Sequence, residues 1–168
     1  VRFADNWAKE GGAVHFLADG EGTTSPRFVN AIFERNVATG DEGGGGVRFG
    51  GYRGTAEPEF VNVLFWRNEA VLGSGGGVAF ETGGQQPRRA SPMFVHATFV
   101  HNRASVDGGA VFGQGDSAAL TVENSIFWGN TARKNGPHIW LDALAEVAFS
   151  HTLIEGGIQV SSNGPRLV

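Results

Sequence analysis

The sequence predicts an all-β fold, a parallel β-helix (solenoid) of about five to six coils with a period of about 27–34 residues. Three observations predict it: a Phe-x-x-Asn-x-Ala motif recurs along the chain, a glycine-rich motif follows each copy, and 27 of the 168 residues are glycine. This glycine content is about twice the average for such a length. Repeated sharp turns or close backbone contacts are therefore expected.

The first motif places a phenylalanine shortly before an asparagine and an alanine. Its copies are Phe3/Asn6/Ala8, Phe33/Asn36/Ala38, Phe65/Asn68/Ala70, Phe99/Asn102/Ala104 and Phe127/Asn130/Ala132. A sixth, degenerate copy has Ile154 and Gly157 in the Phe and Asn places. Recurrence at a nearly constant period is the sequence signature of a solenoid, in which each repeat forms one coil.

Two further motifs complete each repeat. Two glycines, a small residue and Val follow the asparagine at residues 11–14, 44–47, 75–78 and 108–111, with a worn copy at 136–139. A Phe-Val-Asn segment or a variant of it precedes the next phenylalanine at residues 28–30, 60–62, 94–96 and 122–124. Each repeat is thus predicted to run strand, Asn turn, Gly turn, strand and variable loop.

The apolar residues in these motifs alternate with period two over short segments, which is typical of strands rather than helices. A unit this short cannot bury its own apolar face, so successive coils must stack. We expect each motif phenylalanine to lie over the one in the previous coil. We also expect the motif asparagines to take left-handed backbone at a corner and to form a hydrogen-bonded ladder: Asn6, Asn36, Asn68, Asn102 and Asn130.

Composition argues against several classes of function. The chain has 13 Lys+Arg against 17 Asp+Glu and a formal net charge of −4, so no nucleic-acid partner is expected. No apolar run approaches the roughly 18 residues that span a bilayer, so no direct membrane insertion is expected. The absence of cysteine excludes disulfides and thiolate metal ligands.

No motif predicts a metal, a cofactor or a catalytic residue. The five histidines are scattered along the chain, and neither an EF-hand loop nor His-Glu-x-x-His occurs. The glycine runs neither open a predicted helix nor end in Gly-Lys-Ser/Thr, which argues against a phosphate loop. His96 and His151 stand where other repeats have Asn30, Asn62 and Asn124, and we interpret them as substitutes in a polar column.

Two outward columns beside the ladder are candidates for a binding surface. Coils about 4.8 Å apart would align Arg35, Arg67 and His101, which directly precede ladder asparagines. Trp66 and Trp128 precede Arg67 and Gly129 and would form a column beside the cations. Aromatic rings next to cations suit sugar rings and anionic groups. The alternative is that these are solvated strand residues without a ligand.

The pairing of Phe-x-x-Asn-x-Ala with Gly-Gly-Ala/Gly-Val resembles the repeats of polymorphic outer-membrane proteins and related right-handed parallel β-helix proteins of bacterial cell surfaces. Residues 124–130, continuing to 150–157, are similar to the end of the β-helix region in choice-of-anchor secreted bacterial proteins. The resemblance implies a right-handed coil, export and a longer parent protein. Many members have Cys where this chain has Ala31, Val63, Ala97 and Ser125, so no redox role is expected for that column.

We therefore expect one β-helix domain over residues 1–168, a fragment of a longer repeat protein that is extracellular or on a bacterial cell surface. The expected function is that of a non-catalytic stalk, adhesin or structural and assembly element. Expected partners are glycans or host and cell-surface proteins, and uncovered coil ends would allow end-to-end self-association. The alternative is a polysaccharide lyase or glycoside hydrolase fragment acting on an extracellular polysaccharide, which would need ionisable groups converging over a groove.

Overall fold

The chain folds as a parallel β-solenoid, which confirms the predicted fold class. A computed structural model describes residues 1–83, 89–142, 146–157 and 166–167. Residues 166 and 167 are described by their backbone only. Within these residues the regular elements are all β-strands, and every strand pair is parallel. We call one layer of strands around the solenoid a rung.

The first rung contains β1 (Arg2–Ala4), β2 (Trp7–Ala8), β3 (Val14–Ala18) and β4 (Thr23–Thr24). The second contains β5 (Arg27–Glu34), β6 (Val37–Ala38), β7 (Val47–Gly51) and β8 (Thr55–Ala56). The third contains β9 (Glu59–Trp66), β10 (Glu69–Ala70), β11 (Val78–Thr82) and β12 (Arg89–Ala90). The fourth contains β13 (Met93–Val95), β14 (Thr98–Val100), β15 (Arg103–Ala104) and β16 (Val111–Gln114). The fifth contains β17 (Ala119–Glu123), β18 (Ile126–Trp128), β19 (Thr131–Ala132) and β20 (Ile139–Asp142), and the described chain ends with β21 (Glu146–Ser150), β22 (Leu153–Ile154) and β23 (Arg166–Leu167).

The solenoid has about 4 turns, slightly fewer than the predicted five to six coils. A column of five stacked strands has four intervals between neighbours, and each interval corresponds to one turn. Two of the sheets hold five strands each, in the orders β19-β15-β10-β6-β2 and β20-β16-β11-β7-β3. The degenerate sixth copy contributes only the short strand β22, paired with β18.

The largest sheet bends at a corner that runs parallel to the solenoid axis. Strands β5 and β9 pass through this corner at Asn30 and Asn62, whose φ angles are 52° and 54°. In later rungs His96, Asn124 and His151 take the same left-handed backbone, and the strand divides there into β13 and β14, β17 and β18, or β21 and β22. The corner gives this sheet two outward faces.

Phenylalanine columns fill the interior. Phe3, Phe33, Phe65, Phe99 and Phe127 form a stack whose successive centroids lie 4.6–4.8 Å apart. Phe28, Phe60 and Phe94 form a second stack that meets the first edge-on. In the three middle rungs the rings of these stacks are fully buried except Phe28, which is partly buried. The predicted aromatic column is therefore confirmed, and stacking fixes the side-chain register between rungs.

The predicted asparagine ladder is also confirmed. Asn36 donates from Nδ2 to Oδ1 of Asn68 at 2.8 Å, and its backbone N–H donates to the same oxygen at 3.1 Å. Nδ2 of Asn36 also donates to the carbonyl of Phe3 at 3.0 Å. The pattern repeats from Asn6 to Asn130, with Nδ2 to Oδ1 distances of 2.8–2.9 Å. Each inner carboxamide thus has an acceptor for both of its Nδ2 hydrogens, and its oxygen accepts the backbone N–H of the asparagine in the previous rung.

The expectation that the ladder asparagines themselves take left-handed backbone was wrong. The residues directly before them do so: Asp5, Arg35, Arg67, His101 and Gly129, with φ between 50° and 61°. The left-handed turn at the preceding residue directs the asparagine side chain inward, where its oxygen reaches two donors of the previous rung. The corner and the ladder are therefore adjacent positions in the sequence.

A histidine closes the ladder at its C-terminal end. The next Asn place is held by Gly157, which offers no carboxamide. Instead, Nδ2 of Asn130 lies 3.2 Å from Nδ1 of the buried His138 while it also donates to the carbonyl of Phe99. A donor at this distance requires Nδ1 to accept, so His138 is neutral in this arrangement. Burial lowers its pKa below 6.5, against an opposing effect of Glu155.

The glycine motif allows the rungs to approach each other closely. A Cβ on Gly45 would lie 2.2 Å from the carbonyl oxygen of Gly76 in the next rung. The backbone N–H of Gly45 donates to the carbonyl of Gly75 at 3.0 Å, so main chains touch directly at this turn. Glycine is required here because any side chain would separate the rungs.

We predict that His138 makes stability depend on pH. In the unfolded chain His138 binds a proton near its ordinary pKa of 6.5, whereas in the folded chain the pKa of His138 is lower. The free energy of unfolding should therefore fall as the pH drops below about 6.5. Urea unfolding between about pH 7.5 and pH 5 should show this loss in the wild type and not in His138→Gln. His151→Gln, which removes an exposed histidine, should keep the wild-type slope, and parallel curves for wild type and His138→Gln would contradict the role given to His138.

Candidate functional site

The predicted binding residues lie on one outward face of the large sheet, which we call the lateral face. It lies between the corner at Asn30, Asn62, His96, Asn124 and His151 and the ladder corner at Arg35, Arg67, His101 and Gly129. The outward strand residues between these corners are Ile32 and Glu34, Leu64 and Trp66, Thr98 and Val100, Ile126 and Trp128, and Leu153. The parallel register aligns these side chains in columns along the solenoid axis.

The cation column is in place, because hydrogen bonds between successive rungs align its members. The backbone N–H of Arg35 donates to the carbonyl of Trp66, that of Arg67 to Val100, and that of His101 to Trp128. The structure therefore places Arg35, Arg67 and His101 on successive rungs. Their left-handed backbone places the side chains on the outer rim of the lateral face.

Arg35 is neutralised by two carboxylates. Its Nε and Nη2 donate to the two oxygens of Asp5, each at 2.7 Å, and Nη1 lies 3.0 Å from Glu34. Glu34 is also bridged by Arg2. The hydrogen bond with Asp5 raises the pKa of Arg35, and the hydrogen bond with Arg35 lowers the pKa of Asp5. Arg35 thus serves an ion-pair network and is not free to bind an anion.

Arg67 is held differently, by an aromatic ring. Its guanidinium carbon lies 4.9 Å from the ring centroid of Trp66, and that of Arg35 lies 5.8 Å from the same centroid. Within the described ranges no salt bridge joins Arg67 to a carboxylate. A guanidinium stacked on an indole keeps its N–H donors in the ring plane directed outward. Arg67 is therefore the cation of this column that is positioned for an external anion.

The column ends at His101 and Gly129. Nδ1 of His101 lies 3.3 Å from the carbonyl oxygen of Gly129. A Cβ on Gly129 would lie only 2.5 Å from Nδ1, so the imidazole covers the space that a side chain at this position would occupy. Gly129 also has a φ of 61°, and its N–H donates to Glu155 at 2.6 Å.

The aromatic column has one smaller residue between its two tryptophans. Trp66, Val100 and Trp128 are in register on three successive rungs. Trp66 is half-buried, whereas 49% of Trp128 is exposed. Beside them, Ile126 and Leu153 are also exposed, so the lateral face becomes more open toward the C-terminal rungs.

A shallow groove follows the opposite rim of the lateral face. It has a volume of about 410 Å³ and is walled by Asn30, Asn62 and His96 on one side and by Ile32, Leu64 and Thr98 on the other. The Nδ2 of Asn62 donates to Oδ1 of Asn30 at 2.6 Å. The groove therefore offers amide groups opposite apolar side chains, along the direction of the solenoid axis.

The lateral face lacks the paired carboxylates of acid–base catalysis among the described residues. Glu34 is buried, and its pKa is lowered because Arg2 and Arg35 bind its charged form. Glu155 accepts the Gly129 N–H and lies 3.7 Å from His138. The face offers a stacked guanidinium, an imidazole, amides and an indole, a set suited to binding polar, ring-shaped ligands.

Sequence reasoning missed a second polar cluster on another outward face. Arg48 in β7 is 2% exposed, and its Nη2 contacts Glu81 and lies 2.7 Å from Glu42. The hydroxyl of Tyr52 donates to Glu81. A small cavity of about 190 Å³ adjoins this cluster. The signal in the sequence that could have indicated this cluster is the outward residue that follows each glycine motif. In the five rungs that position is held by His15, Arg48, Ala79, Phe112 and Trp140.

The guanidinium of Arg48 binds both carboxylates of this cluster. Coulombic attraction and hydrogen bonds from Glu42 and Glu81 raise its pKa against the cost of desolvation. The hydrogen bond to Glu81 raises the pKa of Tyr52 to about 12. Both carboxylates thus interact with one fixed cation, which suits a structural contact over the outer face of β7 and β11.

Within the described ranges no group of three or more histidine and carboxylate side chains is arranged to hold a metal ion. Among the same residues no helix has the length and apolar character needed to cross a membrane. Searches against protein-family models, curated proteins and solved structures gave no match to this chain.

We predict that Tyr52, the chain's one tyrosine, ionises with a pKa near 12 because Glu81 holds its proton. Ultraviolet absorbance of tyrosinate follows this single group directly. In Glu81→Gln the pH midpoint of tyrosinate formation should move down toward 10.0, the ordinary pKa of tyrosine. In Glu57→Gln, which alters an exposed carboxylate elsewhere, it should stay unchanged. Near-ultraviolet circular dichroism identifies the pH range in which the fold persists, and a wild-type midpoint near 10.0 within that range would contradict the Tyr52–Glu81 contact.

Proposed function

We propose that the chain is a non-catalytic β-solenoid module of an extracellular or cell-surface protein, and that it binds glycans through the lateral face. The observation that carries this proposal is the stacking of Arg67 on Trp66 at 4.9 Å, beside the open ring of Trp128. Indole rings bind the apolar faces of sugars, and guanidinium groups donate to their hydroxyl and acid oxygens.

The repeat pattern supports the extracellular setting of the proposal. The chain forms a β-solenoid with an asparagine ladder, the architecture that its motifs share with the repeats of polymorphic outer-membrane proteins and with choice-of-anchor secreted proteins. We propose membership of that broad group on the motifs alone. In such a protein the rigid rungs would display the lateral face away from a membrane, as a stalk or adhesin does.

A glycan is favoured over a protein partner by the shape and chemistry of the face. The exposed apolar area is narrow and runs along the axis, between a rim of cations and a rim of amides. Protein interfaces of standard size bury about 800 Å² on each partner and usually have a broad apolar centre. A narrow strip edged by hydrogen-bonding groups on both sides fits a single linear polymer better.

The alternative, a polysaccharide lyase or glycoside hydrolase, receives less support from the geometry. Hydrolysis requires two carboxyl groups that face each other across the scissile bond. On the lateral face Glu34 is buried against Arg2 and Arg35. A lyase base of the arginine type would have to come from Arg67, whose guanidinium is held in a cation–π stack.

A glycan array with the intact chain tests the proposal. Binding of polysaccharides should fall about tenfold or more in Trp128→Ala, because truncating an aromatic anchor at the centre of a binding surface costs about 2 kcal/mol or more. Trp7→Ala is the matched control, since Trp7 is 76% exposed and lies on a different sheet. Assays for new reducing ends and unsaturated sugars on the same polysaccharides should show none. Cleavage would favour the enzyme, and binding of surface proteins without any glycan would contradict the glycan assignment.

A further inference from the structure

We propose that the ligand of the lateral face is an extended, β-1,4-linked glycan that carries carboxylates and lies parallel to the solenoid axis, with an acid group at Arg67 and a sugar ring on Trp128. This inference rests on the proposed glycan binding and specifies its chemistry and direction. It is drawn from the spacing of the two side chains and from the charges around them.

The first step concerns direction. Arg67 and Trp128 belong to rungs that are two apart, because Arg67 follows β9 and Trp128 ends β18, with β14 between them. Parallel strands are spaced by about 4.8 Å, so the two positions are separated by roughly 9–10 Å along the axis. A ligand lying across the rungs would contact one of them and miss the other. A ligand along the axis reaches both.

The second step concerns the shape of the polymer. In an extended β-1,4-linked chain each sugar advances by nearly one rung spacing, and every second sugar presents the same face. A sugar at Trp128 and an acid group at Arg67 would then belong to equivalent residues of such a chain. The sugar between them would lie over Val100, whose smaller side chain leaves room between the tryptophans. The register of the rungs therefore matches a ribbon-like chain.

The third step concerns charge. Asp5 and Glu34 neutralise Arg35, whereas Arg67 has no carboxylate partner among the described residues. The unpaired guanidinium presents a planar fork of N–H donors, which matches a carboxylate in a bidentate arrangement. Trp66 holds this fork at 4.9 Å and acts as a positioning residue. A uronate supplies both the carboxylate and a ring with an apolar face.

The experiment is a calorimetric titration of the intact chain with matched oligosaccharides. The probes are β-1,4-linked mannuronate oligomers of increasing length, neutral cello-oligosaccharides of the same length, and α-1,4-linked galacturonate oligomers. We expect the β-linked mannuronates to bind at least tenfold more tightly than either other series, with a marked gain between disaccharide and tetrasaccharide as the chain first spans Arg67 and Trp128. The preference should weaken as salt concentration rises.

Four variants separate the contributions. Arg67→Gln should remove the preference for mannuronate over the neutral series, and Arg67→Lys should restore only part of it, because lysine lacks the planar fork. Trp66→Leu should weaken mannuronate binding more than cello-oligosaccharide binding, as a positioning role toward Arg67 requires. Arg103→Gln, which removes an exposed arginine near Glu69 on another sheet, is the control and should change neither.

The outcomes distinguish this inference from the proposed function. Glycan binding that depends on Trp128 but shows no preference for β-linked uronates, or no length dependence, overturns the inference and leaves the proposed function intact. Absence of binding to every glycan overturns both. A preference for β-linked mannuronates that survives in Arg67→Gln also overturns the inference, because the acid group would then be bound elsewhere.

Discussion

The register between rungs is the constraint on which the rest of this molecule depends. It is set inside the solenoid. Each inner ladder asparagine accepts two hydrogen bonds from the asparagine of the previous rung, donates one to that rung's phenylalanine carbonyl and donates two to the asparagine of the next rung, while the phenylalanine beside it stacks on its counterpart. A slip of one residue would break both columns and turn every side chain to the opposite face. Burial alone would permit several pairings, but the carboxamide geometry admits one.

The same constraint creates the outer surface. Because the ladder asparagine follows a residue in left-handed backbone, the residue before it is always placed at the outer corner, whatever its side chain. Arg67 and His101 reach the rim in this way, and the two-residue alternation places Trp66 and Trp128 beside them on the lateral face. Sequence variation at these outward positions costs the core little. A solenoid can therefore change its ligand while its interior stays constant.

The sequence predicted the interior well, because period and residue type both report on stacking. The five Phe–Asn pairs predicted the aromatic column and the asparagine ladder of the interior. Three features could not be predicted from the sequence. The left-handed residue precedes the asparagine, since either position tolerates that backbone in a polar turn. His138 replaces the missing carboxamide after Asn130 from eight residues away. Arg48 forms salt bridges with Glu42 and Glu81. These contacts depend on side-chain rotamers, which a sequence motif does not specify.

The measurement that tests the ladder most directly is the thermal stability of Asn68→Ala against Asn62→Ala. Removing the Asn68 side chain leaves three groups without the partners it supplied: the buried N–H of Asn36, one of the two Nδ2 hydrogens of Asn36, and the Phe33 carbonyl. Each unsatisfied group costs about 1–3 kcal/mol, so Tm should fall on the order of 10 °C. Asn62 is exposed, and among the described residues its side chain bonds Asn30 alone, so its loss should cost about 0.5 kcal/mol or less. Equal melting temperatures for the two variants would contradict the claim that the interior ladder fixes the rungs.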